Sequence, residues 1–154
     1  MLIEGRKHSA TKLLRQIPSI GLSAPCFCFA LIRTPHRFRT KRQLSSYCGL
    51  ALEARTSAKY RVVHGQLQRS KRPVAIRGLN KNHNHDLKNL FKGAALRAAA
   101  VEKPFQAFYA ALVAKGIKPE MARLTLARKI AAVTLIVWKK GARFDAEQLK
   151  QQAA

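Results

Sequence analysis

Pro119-Glu120-Met121-Ala122-Arg123-Leu124-Thr125-Leu126-Ala127-Arg128-Lys129-Ile130-Ala131-Ala132-Val133-Thr134-Leu135-Ile136-Val137-Trp138-Lys139-Lys140 is the longest stretch of this chain that reads as one element. A proline suits the first turn of a helix, where its missing N–H has no intrahelical partner to lose. Met121, Leu124, Ala127, Ala131, Leu135 and Trp138 fall on one face at helical spacing, and Ile130, Val133 and Val137 widen it. Lys139, Lys140 and Gly141 suit its end, where cations complement the helix dipole. This helix is expected to be the central element of the core.

Upstream, Pro104 opens another helix, with Phe105, Phe108, Tyr109 and Leu112 facing inward and Gly116 ending it. From Asn80 or Asn82 a third helix carries Leu87, Leu90, Phe91, Ala94, Ala95 and Ala98 on one stripe. Thr40 is placed to cap a helix from Lys41 to Cys48, closed by Gly49. Near the start, Ser9 to Gln16 forms a short helix with Ser9 as its expected N-cap, and Ile17-Pro18-Ser19-Ile20-Gly21 breaks it. An apolar segment from Leu22 to Arg33 follows, with Pro25 in its first turn. Helix, tight turn ending in I-x-G, helix is the sequence form of a helix–hairpin–helix, whose turn offers backbone N–H groups to a phosphate. An ordinary corner between two helices has the same form. Residues from Asp145 to Ala154 read as a short helix or a tail.

Between these helices, Gly49–Lys88 is different. It holds nine Lys/Arg against Glu53 and Asp86, a net charge of +7, and lacks a long helical stripe. Val62-Val63 and Val74-Ala75-Ile76 are short β-prone patches around Gly65 and Pro73, so a small hairpin or extended arm is expected there. The fold expected is mainly α: a helix-hairpin-helix-containing helical domain with a short basic extended or β-hairpin insertion. One domain spans 1–154, with a helix-hairpin-helix-like region at 9–50, a basic serine-bearing loop at 51–79 and a helical bundle at 80–154.

Composition narrows the partners. The chain has 154 residues, of which 47% are hydrophobic, enough for a packed core and too many for wholesale disorder. Thirty Lys and Arg against seven Asp and Glu give +23, spread along the whole length. A compact body with that charge repels itself unless a polyanion is near, and nucleic acid is the expected partner ahead of an anionic membrane. The acids Glu4, Glu53, Asp86, Glu102, Glu120, Asp145 and Glu147 are scattered. A two-metal nuclease centre needs several convergent carboxylates, and no such set is readable. No metal ligands are assigned.

Cys26, Cys28 and Cys48 are odd in number, with no Cx2C pair; they read as small apolar residues in a reducing cytoplasm. Residues 1–16 are basic and 17–32 fairly apolar, and Leu22-Ser23-Ala24-Pro25-Cys26 faintly resembles a lipoprotein cleavage box. Pro18, Ser19, Gly21, Ser23 and Pro25 interrupt the apolar run and strong cationic sequence follows, so export is not expected. Ile130–Trp138 is too short to span a bilayer. No membrane partner and a cytoplasmic location are the expectation. His83-Asn84-His85 spells a nuclease motif but sits at a helix entrance, with the two histidines expected on different faces, as solvated or phosphate-contacting groups; Asn80, Asn82 and Asn84 look like capping residues.

Ser57 is a candidate nucleophile because Arg55, Lys59, Arg61 and Arg69 are near in sequence, and attack on a phosphodiester needs cations to offset developing charge. A polar loop residue among solvated charges is the plainer reading of the same residues.

The order of several pieces resembles one domain. Leu14-x-x-Ile17-Pro18-Ser19-Ile20-Gly21 leads to Phe38-Arg39-Thr40-x-Arg42-Gln43-Leu44-x-x-Tyr47-x-Gly49-Leu50 and then Thr56-Ser57. Leu79-Asn80-Lys81-x-x-Asn84-x-x-Leu87-Lys88 and Ala127-Arg128-Lys129 follow. From about residue 9 to 145 the chain is similar to the C-terminal part of insertion-sequence transposases of the 110/116/902 family, relatives of the pilin-gene invertases. In that family an N-terminal RuvC-like domain binds divalent metal through four acidic residues. The C-terminal domain supplies a serine that attacks DNA and forms a phosphoserine link, and a structured RNA guides site choice.

The family places its serine eight residues after the glycine of the Gly-Leu pair; Gly49 plus eight is Ser57. The resemblance thus implies Ser57 as the catalytic residue. Nucleic-acid contacts are expected from Ser19, Gly21, Arg39, Lys41, Arg42, Arg55, Lys59, Arg61, Arg69, Lys71, Arg72, Lys81, Asn84 and Lys88. The chain departs from the family in three ways: the acidic domain is absent from this sequence, Ser19 stands where many members have glycine, and Cys26-Phe27-Cys28-Phe29 follows Pro25.

The reading that results is an N-terminally truncated transposase, binding DNA, with a guide RNA, an intact transposase copy or a homo-oligomer as further partners, and inactive alone. No cofactor is expected in this chain; Mg²⁺ enters only with the metal-binding domain. Two readings compete: an RNA-binding module of ribosomal-protein type, and a strand-transfer enzyme working in trans with an intact copy.

Overall fold

A computed structural model describes residues 9–21, 23–55, 60–69, 75–101 and 103–146. The chain is mainly helical, with two small two-stranded sheets. In order it runs α1 (Ser9–Leu14), α2 (Ala24–Ile32), a 3₁₀ turn (Pro35–Arg37), α3 (Lys41–Tyr47) and β1 (Leu52–Arg55). It continues through β2 (Tyr60–Val63), β3 (Gln66–Arg69), β4 (Ala75–Leu79), α4 (His85–Ala100), α5 (Phe105–Ala114) and α6 (Pro119–Lys140).

The long helix is central, as its sequence predicts. It packs against α1, α3, α4, α5 and the 3₁₀ turn, while α2 packs on α1 and α4. The face it buries is largely the one read from spacing, with Leu124 and Val133 half-buried against the core and Met121 as the exception. Met121 is 43% exposed, and Ala122, Leu126, Ala127, Ile130, Ala131, Thr134, Leu135, Val137 and Trp138 are buried. Ala122, Leu126 and Thr134 extend that face where the neighbouring helices pack on α6. Thr134 is accommodated in the core because its hydroxyl donates to Ile130 O, 2.8 Å away.

One cluster of buried side chains joins the helices before the strands to those after them. Leu14, Ile17, Ile32, Leu44 and Leu50 share it with Leu87, Phe91, Phe105, Leu126 and Ile130. The ring of Phe29 lies 4.7 Å from that of Trp138, linking α2 to α6. On α4 the expected stripe is buried at Leu87, Phe91, Ala94, Ala95 and Ala98, with Leu90 half-buried against the core. In α5 only Phe105 is fully buried, and Phe108, Tyr109 and Leu112 are half-buried.

Local chemistry fixes the ends of the elements. Thr40 accepts from Gln43 N–H and Gln43 reaches back to the N-cap backbone, forming a capping box on α3. Asn84 caps α4, accepting from Leu87 N–H at 3.0 Å. Pro25 and Pro119 lie in the first turns of α2 and α6. Gly141 ends α6 in the left-handed conformation. Cys26, Cys28 and Cys48 are free and buried.

The insertion is more regular than the sequence suggests. β1 pairs with β4 antiparallel, with a register shift between Leu52 and Ala54 where Gly78 takes a φ of +96°. β2 and β3 form a hairpin across His64-Gly65, whose φ angles of +51° and +77° suit the tight turn that strand twist favours. Val62 pairs with Leu67, and both are largely exposed, at 68% and 73%.

Candidate nucleic-acid interface

The expected contact residues fall on four parts of the molecule. Arg55, Arg61 and Arg69 lie on β1, β2 and β3. Ser57, Lys59, Lys71 and Arg72 lie outside the described residues, in the sequence between those strands. Both ladders are antiparallel; Arg55 lies on the β1–β4 ladder and Arg61 and Arg69 on the β2–β3 hairpin, with Tyr60 opposite Arg69 and Arg61 opposite Gln68.

The second part is the turn between α1 and α2. Ile20 N–H donates to Ile17 O at 3.3 Å, closing a turn with Pro18 and Ser19 at its centre. Ser19 takes a φ of +68°, the conformation in which glycine stands without strain. Ser19 thus holds a turn shape that glycine takes without strain. Ser19 is buried, and its hydroxyl donates to Pro18 O. Arg97 of α4 donates to Ser19 O at 2.8 Å, and a side chain at Gly21 would meet the same guanidinium at 3.5 Å. The turn thus gains a cation from α4, which spacing in the sequence gives no way to foresee.

The third part is where α3 and α4 begin. Arg39, Lys41 and Lys81 are exposed there. Arg39 N–H donates to Gln43 Oε1 at 2.7 Å, while Lys139 of α6 donates to the carbonyls of Phe38 and Arg39, which ties this corner to the long helix. The carboxamide oxygen of Asn84 is committed to its cap. Lys88 Nζ lies 3.2 Å from His83 Nε2. The rings of His83 and His85 do not diverge as the sequence suggests: their centroids are 4.3 Å apart, because His83 precedes the helix and only His85 is in its first turn. Among the described residues, no group of three or more His, Cys, Asp or Glu comes together to hold a metal ion. The described residues therefore offer no ligand set for the divalent metal that the resemblance attaches to an acidic domain.

The fourth part is a cleft of about 970 Å³ between α3, α5, α6, the start of β1 and residues 142–145. Lys41 and Arg42 line it, and so do Arg128, Lys129, Lys140 and Arg143, none of which was singled out as a contact. Arg128 Nε donates to Leu50 O at 2.6 Å, while its Nη2 is buried without a partner. Burial pushes the Arg128 guanidinium below its ordinary pKa. Lys129 is also lowered, first by burial and then by the charge of Lys41. Its ammonium lies 5.6 Å from the centre of the Phe108 ring. The one sequence signal was the pair Arg128-Lys129 set into an otherwise apolar helix; only the packing of α3 and α5 beside it makes a cleft.

The fold and these surfaces define a mainly α, strongly cationic protein with a β arm and a basic cleft. Residues 11–77 match the model of the Transposase IS116/IS110/IS902 family, which bears out the resemblance and supports a transposase-related function. The match runs from α1 into β4 and includes Ser57; α4, α5 and α6 lie beyond it. No curated protein matches the chain. Among the described residues, no helix is long and apolar enough to cross a membrane.

Proposed function

We propose that this chain acts as the DNA-binding C-terminal portion of an insertion-sequence transposase, with Ser57 as its nucleophile. The family match over residues 11–77 carries this reading, because it contains the Gly49-Leu50 pair and the serine eight residues on. The charge of +23 supports it, since a polyanion offsets the self-repulsion of such a body. In this reading Ser57 Oγ attacks a DNA phosphorus, a phosphoserine bond forms, and the displaced strand oxygen leaves and takes up a proton. Arg55, Lys59, Arg61 and Arg69 offset the charge that develops. Lys71, Arg72, Lys81, Lys88, Arg39, Lys41 and Arg42 hold flanking phosphates, with the Ser19–Gly21 turn and the Asn84 corner beside them.

Divalent metal, Mg²⁺ above all, would be held by an acidic domain of the kind the resemblance implies rather than by these residues. An intact transposase copy is one source of that domain. A guide RNA and further copies of the chain are its other proposed partners, in the cytoplasm.

The test has two stages. DNA affinity measured against salt should fall with a log–log slope of about −5 if about six phosphates are contacted. Affinity indifferent to salt removes the DNA-binding reading, and ribosome co-sedimentation that survives a high-salt wash replaces it with a ribosomal-RNA module. Adding an intact copy and Mg²⁺ should then trap a covalent protein–DNA adduct that Ser57→Ala abolishes. An unchanged adduct with Ser57→Ala removes the nucleophile assignment.

A further inference from the structure

The cleft beside α6 differs in chemistry from the strand-built arm. Its rim carries six cations: Lys41 and Arg42 from α3, Arg128, Lys129 and Lys140 from α6, and Arg143 beyond it. Among the described residues, Asp145 is the only carboxylate along its lining. Its apolar lining is made by Phe108, Ala132, Val133, Ile136 and Phe144, with Lys129 beside the Phe108 ring. Ile136 is 40% exposed, although it lies in the middle of the most apolar stretch of the chain. Leu50 O fixes the Arg128 guanidinium by its Nε, so one cation of the rim is held in place rather than floating on a free side chain.

We infer that this cleft is a single-stranded nucleic-acid subsite, taking unstacked bases on its floor and their phosphates on its rim. This deepens the proposed function and rests on it.

Both halves of the lining are needed for the inference. Cations alone would serve any polyanion, and a duplex would satisfy them with its phosphates. A duplex keeps its bases stacked inside, however, so the exposed Ile136 would stay uncovered. A single strand offers π-faces and phosphates together, which is how proteins hold unpaired strands without reading sequence. A lipid surface is flat where this site is concave. At about 970 Å³ the cleft is at the upper end of the roughly 300–1,000 Å³ typical of ligand sites, room for a nucleotide with its flanking phosphates. The cleft also borders the start of β1 through Ala51 and Leu52, the strand after which Ser57 follows in sequence.

The probes are fluorescent oligothymidylate and oligouridylate of about 12 nucleotides, with a duplex of equal length for comparison. Two variants act in the cleft at exposed or half-exposed positions: Ile136→Glu, and Lys140→Ala with Arg143→Ala. Met121→Glu adds the same charge to α6 outside the cleft and is the control. Circular dichroism confirms that each variant is folded.

Each cleft variant should weaken single-strand binding about tenfold and duplex binding less than about twofold, with Met121→Glu affecting both equally and weakly. Tighter binding of oligouridylate than oligothymidylate, with the same sensitivity, assigns the site to RNA; the reverse assigns it to displaced DNA. Single-strand affinity unchanged by Ile136→Glu, or lowered only in step with duplex affinity, overturns the subsite while leaving DNA binding intact. A protein that binds none of the three probes overturns the proposed function as well.

Discussion

Gly49 is constrained twice over. Its φ is +64°, and a Cβ placed on it would lie 2.4 Å from Cγ of His83. His83 cannot retreat easily, because it sits between Lys88 and the ring of His85. Gly49→Ala should therefore cost about 2–4 kcal/mol, combining overpacking with a left-handed backbone, and a urea titration would read it. Ser19 is the opposite case. A non-glycine residue in that conformation costs roughly 1–2 kcal/mol, against roughly 0.5–1 kcal/mol for the extra freedom of an unfolded glycine. Ser19→Gly should raise the urea midpoint, and Ser19→Val should lower it, since branching at Cβ worsens the strain. Cys28 and Cys48 carry a third prediction. Burial pushes both thiols up to about 12 from an ordinary 9.0, with Cys28 adding to the effect on Cys48. A raised folded pKa means their contribution is complete below pH 9 and is lost as pH rises toward 12. Native protein should resist alkylation at both positions at neutral pH, react fully once unfolded, and lose stability above pH 9, with Cys48→Ala losing less.

Among the elements, α3 depends most on its cap. At seven residues it is too short to hold itself, and its buried anchor is Leu44. Thr40→Ala removes the accepting oxygen for Gln43 N–H and should cost about 1 kcal/mol, with Thr40→Ser retaining most of the cap. Because α3 carries Lys41 and Arg42 into the cleft, the same change should weaken single-strand binding by more than the stability loss explains at temperatures well below unfolding. The α1–α2 turn works differently: its shape comes from Pro18 and from Ser19, and its charge from Arg97 on a distant helix. The β arm draws its regularity from His64-Gly65 and Gly78, three residues with positive φ that permit a tight turn and a register shift.

For the whole molecule the charge of +23 sets the response to solvent. Exposed cations repel one another across distances comparable to the screening length, about 10 Å at 0.1 M salt. Raising salt from about 10 mM toward about 300 mM should therefore raise the melting temperature, by about 2–4 °C for each kcal/mol of repulsion relieved. The same salt should loosen DNA. Stability and binding moving in opposite directions with ionic strength is the expected signature, and a melting temperature that falls over this range would contradict it.

Composition and periodicity alone determined a mainly α chain centred on Pro119–Lys140, the caps at Thr40 and Asn84, and the cationic character of Gly49–Lys88. These are properties of neighbours within a few residues, where backbone hydrogen bonding and side-chain spacing act directly. The order of motifs from Leu14 to Ser57 was also legible, and the family match covers it. Tertiary structure decided the limits of the buried face of α6, leaving Met121 exposed and adding Ala122, Leu126 and Thr134 to the residues that spacing had picked out. It decided that Arg97 joins the α1–α2 turn, 78 residues away in sequence, and that Arg128 bonds Leu50 O across the same separation. Above all it brought Lys41 and Arg42 beside Arg128, Lys129, Lys140 and Arg143 over an apolar floor. A cleft is made by the packing of separate elements, and no local pattern encodes that distance.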